Sequence, residues 1–178
     1  CIRDRFSIDF KKLGFAKEKK IYLENDGNLA AYFEYFSHFK NDYKNLIMLT
    51  FGTGVGGGII YNSEIFKGSG NAGEIGRILI NEKSYLEDVI SAKAWTKKCQ
   101  ELYEINKETK LSRIFFEEKV GSLLFDQSID LEDYEELARD EIIQSTSNAL
   151  ISLFELFDND VFVIGGSMTQ SPYDFLTL

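Results

Sequence analysis

A glycine-rich turn and a few carboxylates are the residues in this 178-residue chain whose types and spacing suit chemistry on an anion. The turn lies inside Leu46-Ile47-Met48-Leu49-Thr50-Phe51-Gly52-Thr53-Gly54-Val55-Gly56-Gly57-Gly58-Ile59-Ile60-Tyr61, where five glycines separate two apolar runs. Glycine has no Cβ and tolerates φ > 0, so its backbone can turn tightly and lie flat against a ligand. A Gly/Thr turn can aim successive N–H groups one way, which suits a phosphate. The same residues also spell a glycine β-hairpin that binds nothing.

The carboxylates stand nearby in sequence. Asp26 lies in Glu24-Asn25-Asp26-Gly27-Asn28, and Glu74 in a second glycine-rich loop, Gly68 to Gly76. Glu87 follows in Tyr85-Leu86-Glu87. Each has an ordinary alternative. Asp26 and Asn25 read equally as an Asx turn or a helix cap, and Glu87 as a solvated acid in the first turn of a helix. Gly165 and Gly166 follow an apolar run, Val161 to Ile164, and read as a ligand-lined exit or a plain strand-to-helix turn.

These residues need elements to position them. A short strand is expected at Ile21-Tyr22-Leu23, then a helix over Leu29–Phe39, with Asn28 as N-cap and Leu29, Phe33 and Phe36 on one face. Residues 41–44 form a polar linker and the best internal boundary. Strands are expected at Leu46–Phe51, Gly58–Tyr61, Glu64–Lys67 and Ile78–Ile80. Helices are expected at Tyr85–Tyr103, Leu111–Lys119 and from about Leu131 or Glu135 to Phe157. In the last, Ile142, Ile143, Leu150, Leu153, Phe154 and Phe157 keep helical spacing. A buried strand at Val161–Ile164 closes the set. No internal repeat or low-complexity tract is present. The order suits an α/β protein with mixed sheets covered by helices. Asp26, the glycine turn and Gly165–Ser167 all fall at strand exits, where such sheets place ligands.

Bulk properties narrow the partners. The hydrophobic fraction of 44% is ample for a core, and the net charge of −9 argues against a nucleic-acid surface in this segment. An anionic ligand must then be held by local backbone donors or a metal. No apolar stretch nears the roughly 20 residues of a membrane span, and no signal peptide is present. Cys1 and Cys99 are far apart and form no CxxC pair. A reducing, cytoplasmic setting is the default. The chain starts at Cys1 and stops soon after Pro172, so it reads as a piece of a longer product, incomplete at both ends.

Four segments in one order give the reading its identity: Glu24–Asn28, Gly52–Gly58, Gly73-Glu74-Ile75-Gly76 and Val163-Ile164-Gly165-Gly166-Ser167. In this order they resemble the ROK family of sugar kinases and sugar-responsive repressors, of the actin-like ATPase (ribonuclease H-like) fold. The resemblance implies residues 1–43 as the end of an N-terminal lobe and 44–178 as a large C-terminal lobe. It implies Asp26 as the catalytic base toward a sugar hydroxyl, with Asn25, Glu74 and Glu87 binding the sugar. It implies Gly52, Thr53 and Gly54 at the ATP phosphates, Gly165 and Gly166 at the nucleoside, and Mg²⁺ between the phosphates. A hexose or N-acetylhexosamine kinase is the leading expectation. A sugar-sensing repressor with its DNA-binding part elsewhere, and a non-catalytic relative, are the alternatives. A homodimer is also implied.

Two departures stand out. The family places His directly after Gly-Glu-Ile-Gly and then a cysteine-rich loop, which together hold a structural zinc. Here Arg77 takes that position, and Ile78 to Ser84 contains no cysteine. No zinc site is therefore expected, and Arg77 reads as a candidate sugar donor, as a preference for an acidic or N-acyl sugar, or as a sign of lost catalysis. The Asp-x-Gly-x-Thr phosphate loop of the family does not occur in this chain. His38, the only histidine, is expected at the surface.

Overall fold

The computed structural model describes residues 23–170. Most of the strand expected at Ile21–Leu23 lies outside these residues.

The frame is a four-stranded mixed sheet in the order β3-β2-β1-β4. Its strands are β1 (Leu46–Phe51), β2 (Val55–Tyr61), β3 (Glu64–Ile65) and β4 (Val161–Gly165). β1 is central, antiparallel to β2 and parallel to β4. A strand flanked on both sides and covered on both faces reads as an unbroken apolar run, and Leu46 to Leu49 are all buried. Side chains alternate between the faces. Leu46, Met48 and Ile60 join a small core under α1 (Asp26–Glu34) with Ala31 and Tyr35. Ile47, Leu49, Phe51 and Ile59 join the large core on the other face.

The large core is built by the crossover from β2 to β4. It contains α2 (Glu87–Ile90), α3 (Ala92–Ile105), α4 (Lys110–Glu118) and α5 (Asp133–Phe157). Trp95 of α3 packs on Phe125 with ring centroids 4.4 Å apart. Asp160 closes the circuit: its Oδ2 accepts from the backbone N–H of Lys44 at 2.9 Å and Asn45 at 2.8 Å. These bonds hold the Asp160 carboxyl below its ordinary range and align the starts of β1 and β4.

Several boundaries differ from those read in sequence. α1 starts at Asp26 and its cap is Asn25, whose side chain accepts from the Asn28 backbone at 3.2 Å. Asn28 is instead buried inside the helix. The helical face that carries Leu29, Phe33 and Phe36 is exposed, at 57%, 63% and 52%. The face that packs carries Gly27, Ala31 and Tyr35, spaced by one turn. α1 then runs into a π-helical turn, Tyr35–Phe39. Ile78–Ile80 is no strand, only a bridge between Leu79 and Tyr85. The helix expected over Tyr85–Tyr103 breaks at Ser91, whose side chain caps α3. β3 stops at Ile65, and Phe154 of α5 is 47% exposed. His38 lies at the surface as expected.

The glycine run divides into two parts. Only Gly52-Thr53-Gly54 forms the hairpin loop, because Val55 already pairs with Phe51. Gly56, Gly57 and Gly58 lie within β2. A Cβ on Gly58 would stand 2.6 Å from the Gly27 carbonyl oxygen and 2.7 Å from Ala31 Cβ. A Cβ on Gly27 would stand 2.3 Å from the Gly57 carbonyl oxygen. The first turn of α1 thus lies backbone to backbone on β2. Gly58→Ala should lift α1 and cost roughly 1–3 kcal/mol of stability by overpacking. Gly52→Ala, with only Ser167 Oγ near at 3.7 Å, should cost far less. Urea unfolding of the two variants measures the difference.

Candidate functional site

The seam between α1 and β2 opens into a cleft of about 530 Å³ at the ends of β1 and β4, a size suited to a small-molecule site. Asp26 and Asn25 come from the start of α1, and Gly52, Thr53 and Gly54 from the hairpin loop. Glu74 comes from the glycine-rich loop, Glu87 from the start of α2, and Gly166 from the exit of β4. Eight of the ten residues selected from sequence therefore share one cavity. Arg77 and Gly165 do not line it. Arg77 is exposed at the end of a 3₁₀ turn, Ile75–Arg77. Gly165 ends β4, where a Cβ would meet Met48 Cε at 3.1 Å.

Each element sets its side chain for a local reason. Asp26 is the first residue of α1 and is exposed. Its Oδ1 accepts from the adjacent Gly27 N–H at 3.0 Å, and the capping is done by Asn25. The alternatives read in sequence thus separate, with Asn25 the cap and the Asp26 carboxylate directed to the cleft. Gly166 has φ +106°, and a Cβ there would stand 2.2 Å from the Phe51 carbonyl oxygen. That position requires glycine and joins the exits of β1 and β4. Glu87 reaches the hairpin, with its Oε2 3.1 Å from where a Gly54 Cβ would be. Glu74 is exposed and caps nothing.

Sequence reading overlooked the group that fixes the Asn25–Asp26 turn. Glu24 pairs with Lys67, just beyond β3, and its side chain is 12% exposed. Its Oε1 also accepts from Asn25 N and Asn28 Nδ2, both at 3.0 Å. The Lys67 contact, aided by these two bonds, holds the Glu24 carboxyl down from the ordinary 4.5 to about 2. Lys67 opens the glycine loop that carries Glu74, so the pair ties the two carboxylate-bearing segments together. Glu24 stood inside a quoted motif, but its lysine partner 43 positions away left no local signal. Ser167, placed at a ligand-bearing strand exit from sequence but given no role there, also lines the cleft. Its hydroxyl directly after Gly-Gly at a strand exit was the available signal.

The wall of the cleft fits a phosphate chain better than it fits a metal cage. Gly52 and Gly54 leave their Cα atoms clear of neighbouring backbone, as a cradle requires. Among the described residues no group of three His, Cys, Asp or Glu could hold a metal ion. Mg²⁺ needs no such group, because it keeps waters and is bound through one or two carboxylates plus substrate phosphates. Asp26, Glu74 and Glu87 are the carboxylates that line the cleft.

The ROK family model matches residues 8–176. The chain belongs to the ROK family. It is 24% identical over 165 residues to a glucokinase of Thermotoga maritima, covering 86% of this chain and 52% of that enzyme. It is 37% identical over 87 residues to the xylose repressor of Staphylococcus xylosus, covering 44% of this chain and 23% of the repressor. Its fold is that of a ROK glucokinase from Streptomyces griseus, solved in complex with glucose and AMPPNP. That likeness has a TM-score of 0.71 at 22% identity and covers 90% of this chain and 55% of the other. The chain thus spans about half the length of the relatives it matches along most of its own. The actin-like ATPase fold expected from the motifs is the fold found. No described helix is long and apolar enough to cross a membrane.

The Glu24–Lys67 pair makes a pH prediction. The carboxyl binds its proton more weakly folded than unfolded, so the pair stabilises the fold above the unfolded value of about 4.5. That stabilisation is lost as pH falls toward 2. Glu24→Gln should therefore be about 1–2 kcal/mol less stable than the parent at neutral pH. The gap should close across that acidic window in chemical denaturation curves.

Proposed function

We propose that the protein of which this chain is part phosphorylates a hydroxyl of a hexose or N-acetylhexosamine, with ATP as donor. The observation that carries the proposal is the meeting, in one cleft, of Asp26, the Gly52–Gly54 loop, Glu74, Glu87 and the Gly166–Ser167 turn. ATP with Mg²⁺ would supply the γ-phosphoryl group and neutralise its charge.

Phosphoryl transfer runs through a loose transition state, so the protein's task is positioning and electrostatics. Asp26 takes the proton from the attacking sugar hydroxyl. Its Oδ1 accepts from the Gly27 N–H, which leaves Oδ2 for that work, and the Glu24–Lys67 pair keeps its turn in place. Asn25 spends its Oδ1 on the Asn28 N–H, which leaves its amide N–H groups for a sugar oxygen. Glu74 and Glu87 accept from sugar hydroxyls, because a carboxylate can take paired bonds from neighbouring ones. Gly52, Thr53 and Gly54 contact the phosphates, and Gly166 borders the nucleoside. The sugar lies between the segment ending near Tyr43 and the lobe from Lys44 onward. Arg77 stands close in sequence to Glu74 and donates to the sugar only if that loop closes over it.

A second reading is a sugar-sensing repressor, favoured by the similarity to the xylose repressor. Turnover separates the two. The full-length protein should consume ATP with at least one sugar of a hexose and N-acetylhexosamine panel. Asp26→Asn should lower kcat by about 10²–10⁴-fold, the usual worth of a general base. Sugar binding without turnover by the parent would assign the sensor role. A metal assay should find no stoichiometric zinc, since a guanidinium cannot replace a ligating imidazole. One zinc per chain would show that other residues hold it.

A further inference from the structure

Glu74 and Glu87 both line the cleft, and the segment between them forms a closed arch. The Leu86 N–H donates to the Ile78 carbonyl at 2.8 Å and the Ile80 N–H to the Ser84 carbonyl at 3.1 Å. These bonds flank the antiparallel bridge between Leu79 and Tyr85. At the tip, Asn81 Oδ1 accepts from the N–H groups of Lys83 and Ser84, both at 2.9 Å. At the second foot, Asp88 Oδ2 accepts from the Tyr85 N–H at 2.9 Å. Both feet rest on the body of the protein. Ile75 and Leu86 are buried, and Ile78 and Ile80 pack against the large core.

These bonds fix a register. In an antiparallel pair a slip of one residue turns every side chain to the other face, and the turn decides which register is adopted. Asn81 decides it here, because its side chain holds the backbone two and three residues on, as an Asx turn does. A slip would carry Glu87 away from the hairpin, where its Oε2 lies beside Gly54, while Glu74 stayed behind the buried Ile75. The spacing of the two carboxylates is thus set by the arch. The zinc that the family motif implies does not fit these residues. Residues 75–86 contain neither His nor Cys and a single carboxylate, Glu82, too few ligands for a structural zinc. The Asn81 oxygen is already committed to the turn.

We infer that the arch is a metal-independent clamp that sets the spacing of Glu74 and Glu87, with Asn81 and Asp88 as its positioning residues. What the clamp holds, a ligand with neighbouring hydroxyls, rests on the proposed function. How it is held closed does not.

Amide hydrogen exchange on the full-length protein, with and without a metal chelator, reads the arch. Calorimetry with the hexose and N-acetylhexosamine panel reads the spacing. In the parent the amides of Ile80, Ser84 and Leu86 should be protected, and the chelator should change nothing. Asn81→Ala/Asp88→Ala should speed their exchange roughly tenfold, as expected for the loss of exposed hydrogen bonds. Its sugar binding should weaken roughly three- to tenfold, because only the closed arch presents both carboxylates. Its ATP binding, which a general loss of fold would also weaken, should match the parent's. Asn81→Asp/Asp88→Asn keeps both acceptors and should restore protection and affinity. Lys83→Ala keeps its backbone N–H and should match the parent. Protection abolished by the chelator, or unchanged in the double alanine variant, overturns the inference. So does a loosened arch that binds sugar as tightly as the parent. The expected exchange pattern in a parent that binds no sugar would sink the kinase proposal and leave the metal-independent clamp standing.

Discussion

The first turn of α1 lies on β2 at backbone distance, and the rest of the site takes its geometry from that contact. Two chains approach this closely only where Cβ atoms are missing from both, which is why Gly27 faces Gly57 and Gly58. The consequence is positional. Asp26 is carried to the lip of the hairpin by main chain, not by a long side chain, so its carboxylate has little freedom to wander. A helix docked through larger residues would stand farther off, since interaxial separations grow with the side chains at the contact.

The other contacts extend this arrangement outward. Gly166 presses onto Phe51 and joins the exits of two neighbouring strands. The Ala92–Gly52 hydrogen bond fastens the hairpin loop to α3. The Glu24–Lys67 pair ties the turn before α1 to the loop of Glu74. Each joins segments that are distant in sequence. Together they bring the cleft carboxylates, the hairpin loop and the exit of β4 into one place.

The parts of this structure that sequence reveals are those encoded locally. Leu46–Leu49 announces a central strand because it is apolar without alternation, and the glycine motifs announce strand exits by their order. The orientation of α1 was hidden. Helical spacing singled out Leu29, Phe33 and Phe36 as the apolar stripe, but close approach to β2 selects small residues, and Gly27 and Ala31 lie on the packed side. Periodicity measures hydrophobicity, and here steric fit won. The division of the glycines was hidden for a similar reason. Gly52 and Gly56 are the same residue type, and only the Phe51–Val55 pairing shows where the loop stops. The break at Ser91 was obscured because residues on both sides form helix well.

The Glu74–Arg77 stretch makes few demands on the fold. Glu74 and Arg77 are exposed, and the Glu74 side chain makes no cap bond. Between them Ile75 and Gly76 are buried, and a Cβ on Gly76 would stand 2.2 Å from the Val55 carbonyl oxygen. Mutational freedom is thus granted residue by residue along four consecutive positions. A change at 74 can alter the lining of the cleft without endangering its assembly, whereas a change at 76 meets the Val55 backbone first. A lineage built on this loop can drift in specificity while its skeleton stays fixed.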